Sequence, residues 1–473
     1  MSGPHVIILG AGPAGVGAAY QLRRRGLARV TVLEQQEQVG GNAASFGIGG
    51  VQVDYGSHRL HPACDATIMA DIRSFLQDDL LNRPRHGRIR LRGRWIHFPL
   101  KPLDLLLRLD PRFALASIKD MALGPFRSSP PRQSFATVLE ASLGPTICTD
   151  FYFPYARKIW GHEPTQLSPI QARRRVSAGS FTKLLGKVLA QLPGMRRPTT
   201  GRFFYPREGF GQISVAYADA ARREGADLRL GVRVTGLRPR GTTDRGWIVT
   251  VEGCNGSEEI QGDYVWSTIP IPALARCMTD KLPPAVREAA SAIHYRAMIL
   301  VYLELPVGRF SEFDAHYFPG TDTVMTRMSE PKNYSARNDP RDRTVLCAEV
   351  PCAIGDQVWN KSDDELGTMI ASDLAAVGLP LDVSPIKVHS RRLKQAYPIY
   401  LEGYERPFGI LDDWVQDLPR LLSYGRQGLF AHDNTHHALA MAYAAADCLG
   451  STGFDNDLWG TYREVFATHV VED

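Results

Sequence analysis

A chain of 473 residues with an apolar fraction of 44% can fill the cores of two or three domains, so a globular protein is expected. The formal net charge of +5, from 55 Lys+Arg against 50 Asp+Glu with no basic block longer than the arginines 23–25 and 173–175, excludes the usual nucleic-acid binder and suits a small anionic substrate. Seven cysteines, an odd count without a CxxC pair, point to reduced thiols in the cytoplasm, and Cys347 with Cys352 is no zinc half-site. The uncharged run Val6–Leu22 is broken by four glycines and a proline, so it is neither a signal sequence nor a membrane span.

That run opens the predicted elements: a buried strand over 5–9, a turn holding Gly10, Gly12, Ala14 and Gly15, a helix to about Arg25, and a second strand ending in Glu34. Gly10 makes the turn, Gly12 lets backbone approach a pyrophosphate, and Gly15 lets helix and strand pack closely. The helix N-terminus turns free N–H groups toward phosphates, and Glu34 stands where an acid accepts ribose hydroxyls. A dinucleotide site follows. The chain then enters a loop with Gly40, Gly41 and Asn42 and short strand-like stretches, instead of the alternating strands and helices of an NAD domain. Next comes "DYGSHRLHP" (54–62), where His58, Arg59 and His61 crowd together. A metal is disfavoured there because no acid or cysteine sits at matching spacing.

Further along, "FPYARKIWGHEPTQLSPIQARRRV" (153–176) carries Lys158, Trp160 and Arg174, and "FFYPREGFGQI" (203–213) leads into a helix over 212–224. Strands are expected at 228–238, which holds Val234, and at 246–252 and 258–268. "TRMSEPKNYS" contains Arg327, "AYPIY" contains Tyr397, and "GRQGLFAHDNTHHALAMAYAAADCL" contains Gly425, Arg426, Asp433 and Asn434. In this last segment "GLFAHD" reads as a buried strand and the alanine-rich stretch as a helix capped by Asn434 or Thr435. "LDLLLRL" (103–109) is expected to be buried, with peripheral membrane contact as the alternative, and "SSPPRQ" (128–133) and "LPGMRRPTT" (192–200) read as loops.

Taken in this order, the motifs resemble the FAD-dependent flavoproteins that include UDP-galactopyranose mutase, protoporphyrinogen oxidase and the amine oxidases. The resemblance implies an α/β fold: a Rossmann-like FAD-binding domain of the three-piece, glutathione-reductase type (1–62, 203–280 and 421–473) with an inserted mixed α+β substrate domain (63–202 and 281–420). It implies FAD as cofactor, held by Gly10, Gly12, Ala14, Gly15, Glu34, Gly41, Asn42, His58, Val234, Gly425, Arg426, Asp433 and Asn434. His58, Arg59 and Arg327 are the catalytic candidates, with Lys158, Trp160, Arg174, Arg327 and Tyr397 facing the substrate. His58 is placed against the flavin, whose electronics a histidine can tune. His61 fits a structural role equally well. Arg59 either meets an anionic substrate or pairs with a carboxylate, and Arg327 with Lys332 either meets substrate or pairs with Glu330. One departure stands out, since His436 occupies a place where the mutases carry an acid.

Two reactions are implied. The preferred one is hydride transfer from a small, anionic, sugar- or nucleotide-linked substrate to flavin N5, and the alternative is a non-redox, mutase-like sugar isomerisation using reduced FAD as nucleophile. Neither requires a metal, and a homodimer is among the assemblies the sequence allows.

Overall fold

The computed structural model describes residues 3–100, 104, 107–124, 132–175, 201–241, 245–278 and 282–471. "LPGMRRPTT", most of "SSPPRQ" and part of "LDLLLRL" lie outside them.

The chain opens on the central strand of a five-stranded parallel sheet, ordered Leu421–Ser423, Tyr264–Ser267, His5–Leu9, Arg29–Leu33, Asp227–Arg229. Successive side chains of a strand leave on opposite faces, and here Val6 and Ile8 enter one core while Ile7 and Leu9 enter another. A strand covered on both sides must be apolar throughout, which is why "HVIIL" shows no alternation. Helices Pro13–Arg24, Gln212–Arg223 and Thr435–Asp447 cover the first face, and an antiparallel sheet of Arg233–Pro239, Trp247–Gly253 and Gly256–Gly262 covers the second. Close packing of the first helix depends on Gly15, because a Cβ there would lie 1.9 Å from the Gly10 carbonyl oxygen.

A second, seven-stranded sheet runs Lys387–Pro398, Tyr295–Leu305, Thr344–Cys352, Arg327–Ser329, Ala315–Tyr317, Gly87–Leu91, Arg94–Phe98. It is antiparallel except where 315–317 pairs with 87–89. One face buries Ile299, Val301 and Leu303 against helix Asp363–Ala376. The other buries Met298, Leu300 and Tyr302 against the hairpin Ser45–Ile48/Val51–Asp54, which follows the glycine loop after Glu34. The hairpin therefore mounts the second sheet beside the first.

Several expected strands are corrected. The stretch 228–238 is two strands, because Gly231 turns the chain at φ +68°, and 258–268 changes sheets at Gly262 and Asp263. "GLFAHD" is not a strand. The sheet takes Leu421–Ser423 instead, and Gly425–Gly428 forms one helical turn. Leu107 is exposed rather than buried. All seven cysteines are free, and no helix among the described residues is long and apolar enough to cross a membrane.

Candidate functional site

A cavity of about 770 Å³ lies at the carboxyl ends of the parallel strands, walled on its other side by the second sheet. Such an end is where open α/β sheets bind ligands, because the strands stop there while their loops splay apart.

Gly10, Gly12, Glu34 and Gly41 line one end. Gly10 adopts φ +98°, which only glycine takes without strain, and a Cβ at Gly12 would meet nothing within 4 Å. Gly12 thus fronts open space at the start of helix Pro13–Arg24, where no side chain caps the first turn. Uncapped N–H groups and the helix dipole suit a phosphate. Glu34 is buried yet oriented, its Oε2 accepting the Ala11 N–H at 2.8 Å and its Oε1 the Gln36 N–H at 3.0 Å. Ala14 and Asn42 also face the cavity, and Asn42 donates to the Gln395 carbonyl at 3.3 Å. Farther along, Arg426, Asp433, Asn434 and Thr435 line the wall, the last three at the start of helix Thr435–Asp447. Gly15 and Gly425 sit behind this surface; a Cβ at Gly425 would be 2.9 Å from that of Ala14. The cavity does not reach Val234, which packs on the core beneath the three-stranded sheet. A bared glycine at one helix start, a fixed buried acid and a second helix start fit the pyrophosphate, ribose and ring of FAD.

The other end holds His58, Arg59, Tyr155, Arg327, Glu349 and Tyr397. His58 donates from Nε2 to the Tyr55 carbonyl at 3.0 Å and stacks on Phe210, with centroids 5.3 Å apart. Burial pushes its pKa below the ordinary 6.5, against the pull of Asp54, so the ring is neutral at pH 7. Asp54 is itself buried and its pKa rises for that reason, although Ser45 Oγ, Tyr205 Oη and Phe210 N–H all donate to it.

Both arginines are paired. Arg59 donates to Tyr317 Oη at 2.9 Å, Tyr334 Oη at 3.2 Å and Asp314 at 3.3 Å, the carboxylate alternative of the two the sequence left open. Arg327 does not meet Glu330. It forms a two-pronged bond to Glu349 at 2.9 Å, directly opposite in the neighbouring strand. Glu349 also accepts the Ser57 N–H at 2.8 Å, while Glu330 takes Phe310 N–H, Ser311 N–H and Thr344 Oγ1, and Lys332 donates to the carbonyls of Gly308, Pro340 and Arg343. Glu349 and Asp314 were missed in the sequence. A lone acid inside the apolar strand "TVLCAEVPC" was the available signal, since buried carboxylates need partners.

Of the remaining substrate candidates only Tyr397 lines the cavity, stacked on His432 with centroids 5.2 Å apart and planes 10° from parallel. Trp160 is buried against Phe135, because helix Phe153–Trp160 turns Tyr155 and Ile159 to the cavity and its next residue inward. Arg174 also lies off the cavity and donates to Tyr400 Oη at 3.0 Å. His61 does line it. Asp433, His437 and His469 bring ligand-type atoms within 4.8 Å of one another, a grouping hidden in the sequence because His469 arrives from the end of helix Asn456–Ala467. Burial lowers the His436 and His437 pKa values to about 3 and about 4.

The family described as flavin containing amine oxidoreductase matches residues 13–446. Protoporphyrinogen oxidase 2, chloroplastic/mitochondrial, of Arabidopsis thaliana is 21% identical over 467 residues, covering 89% of each chain. The crystal structure of reduced UDP-galactopyranose mutase superimposes with a TM-score of 0.77 at 20% identity, over 94% of each chain. Putrescine oxidase bound to putrescine gives 0.66 at 19% identity, over 94% of this chain and 98% of that one.

Proposed function

The chain belongs to the family of flavin-containing amine oxidoreductases, and on that premise we propose that this FAD-dependent oxidoreductase oxidises a small anionic substrate, sugar- or nucleotide-linked, in the cavity beside His58. When bound, FAD supplies the hydride acceptor at N5. This chain's residues bind and orient. Gly12 and Glu34 receive the dinucleotide, Tyr397 with Arg426 5.6 Å over its ring forms a flat wall, and neutral His58 offers a polar ring without charge. Arg391, Arg392 and Lys394 at the rim favour an anionic substrate.

The observation that carries the redox reading is the Arg327–Glu349 pair. A guanidinium whose fork is filled by a buried carboxylate is not free to clamp the diphosphate that a nucleotide-sugar isomerisation must release. The mutase-like reading draws support from Tyr397 and Arg327 sharing one cavity. Adding candidate substrates to oxidised protein without oxygen separates the two. Loss of the visible flavin band is expected, whereas turnover of a nucleotide sugar only after dithionite reduction would overturn the redox reading.

We assign 1–62, 203–280 and 421–473 to the cofactor domain and 63–202 with 281–420 to the substrate domain. The strands of the parallel sheet come from the first set, and those of the seven-stranded sheet from the second.

A further inference from the structure

We propose that helix Pro111–Leu123, with the turn before it, docks the protein onto an anionic lipid bilayer. Nine large apolar side chains are left exposed among the described residues, and four of them fall here: Leu107 (73%), Leu115 (69%), Ile118 (61%) and Leu123 (46%). Leu115, Ile118, Lys119 and Ala122 follow the i, i+3, i+4, i+7 spacing of one helix face, and all are exposed. Phe113 and Ser117, four apart on the opposite face, are buried and hold the helix to the protein. An apolar stripe turned away from the core has no role in folding the monomer, because its burial must come from something else.

Charge identifies what covers it. Residues 83–124 hold ten lysines and arginines against three acids, a formal surplus of seven, while the whole chain carries only +5. The hairpin Gly87–Leu91/Arg94–Phe98 brings Arg92 and Arg94 beside the helix and the turn before it. Arg92 lies 5.9 Å from the Phe113 ring, Arg94 donates to the carbonyls of Arg108 and Leu109, and Arg108 donates to that of Trp95. The three acids have partners of their own: Asp104 accepts the His97 N–H and pairs with Arg108, Asp110 caps the helix at Arg112 and Phe113, and Asp120 accepts the Thr146 N–H. Arg92 pairs with Asp150 at 3.4 Å and Arg108 with Asp104 at 2.8 Å, which leaves exposed Arg94, Arg112 and Lys119 beside the leucines without an ion pair among the described residues. A second copy would bring like charge to like charge, and a nucleic acid would leave the leucines wet. A bilayer surface with anionic headgroups satisfies both halves, as for helices that lie in the membrane interface. A helix of 13 residues is too short to span, so it lies flat. The hairpin beside the helix adjoins the cavity wall, since strand 87–91 pairs with Ala315–Tyr317 and Tyr317 lines the cavity.

Co-sedimentation of the flavin-loaded protein with vesicles tests this. Binding is expected to vesicles of phosphatidylcholine with phosphatidylglycerol, to be weaker on phosphatidylcholine alone, and to fall as salt rises. L115E/I118E should lower the bound fraction by more than about tenfold, and R112E/K119E should remove the preference for phosphatidylglycerol. Flavin content should stay unchanged in both, because these side chains are exposed and none of them lines the cavity. Should L115E/I118E fail to fold, L115S/I118S carries the same expectation. Absence of binding to either vesicle, or full binding by the leucine and isoleucine variants, overturns the proposal. So does a dimer in solution, lost in L115E/I118E, without vesicle binding.

Discussion

Gly12 and Gly15 differ by three positions and by the reason each must be glycine. A side chain at Gly12 would enter open cavity, so Gly12→Val should fold with normal stability yet purify without colour. A side chain at Gly15 would strike the Gly10 carbonyl, so Gly15→Val should reduce soluble protein itself. Flavin absorbance per folded protein, with thermal melting alongside, separates the two, and a yellow Gly12→Val protein would refute the cofactor placement. These roles were legible in the sequence because the backbone itself dictates them within a few residues. The partners of Arg59 and Arg327 were not, because Asp314 and Glu349 lie 255 and 22 positions away and meet them only through strand pairing and packing. Glu349→Gln would leave the Arg327 charge buried without its counter-charge and with a single acceptor oxygen, and should cost about 3 kcal/mol of stability. A denaturant midpoint equal to wild type would show that the pair does not matter.

Among the elements, the hairpin Ser45–Ile48/Val51–Asp54 joins the two sheets, and one residue ties it down. The Asp54 carboxylate takes Ser45 Oγ, Tyr205 Oη at 2.6 Å and the Phe210 N–H at 2.9 Å, and the Asp54 carbonyl takes Tyr302 Oη at 2.7 Å. Those donors come from the hairpin, strand Arg202–Pro206, the turn before helix Gln212–Arg223, and the second sheet. Asp54→Ala would strand three buried donors, each costing about 1 kcal/mol or more, so a loss of about 3 kcal/mol is expected. Asp54→Asn keeps acceptor capacity and should recover part of it. Wild-type stability in Asp54→Ala, read from denaturant unfolding, would contradict this account. Helices were the more legible elements: that after Gly211 was expected over 212–224 and spans Gln212–Arg223. The strand expected at "GLFAHD" failed because an apolar run says only that residues are buried. Tyr424 hands Gly425 a φ of +78°, and the chain leaves the sheet there, which hydrophobicity does not encode.

At the scale of the whole molecule, the second sheet was unreadable as a unit because its strands lie as far apart as residues 87 and 398, and only their pairing makes them one surface. Its core holds a consequence for pH. His316 is 1% exposed, meets Trp95 and Phe313 edge-on, and neither ring nitrogen has a hydrogen-bond partner. Burial, with Arg88 adding to it, lowers the His316 pKa to about 3. Between the ordinary 6.5 and that value only the unfolded chain binds the proton, so stability is fully present above pH 6.5 and falls as pH drops. At about 1.4 kcal/mol per pH unit, this one ring costs about 2 kcal/mol between pH 6.5 and 5. His316→Phe keeps an aromatic ring of similar size and removes the proton site. Its loss of unfolding free energy from pH 7 to pH 5 should be smaller than that of the wild type by this amount. An equal loss in both would mean that His316 does not titrate on unfolding, and would move acid sensitivity to the His436 and His437 cluster beside Asp433, where the depressed values of about 3 and about 4 have the same sign.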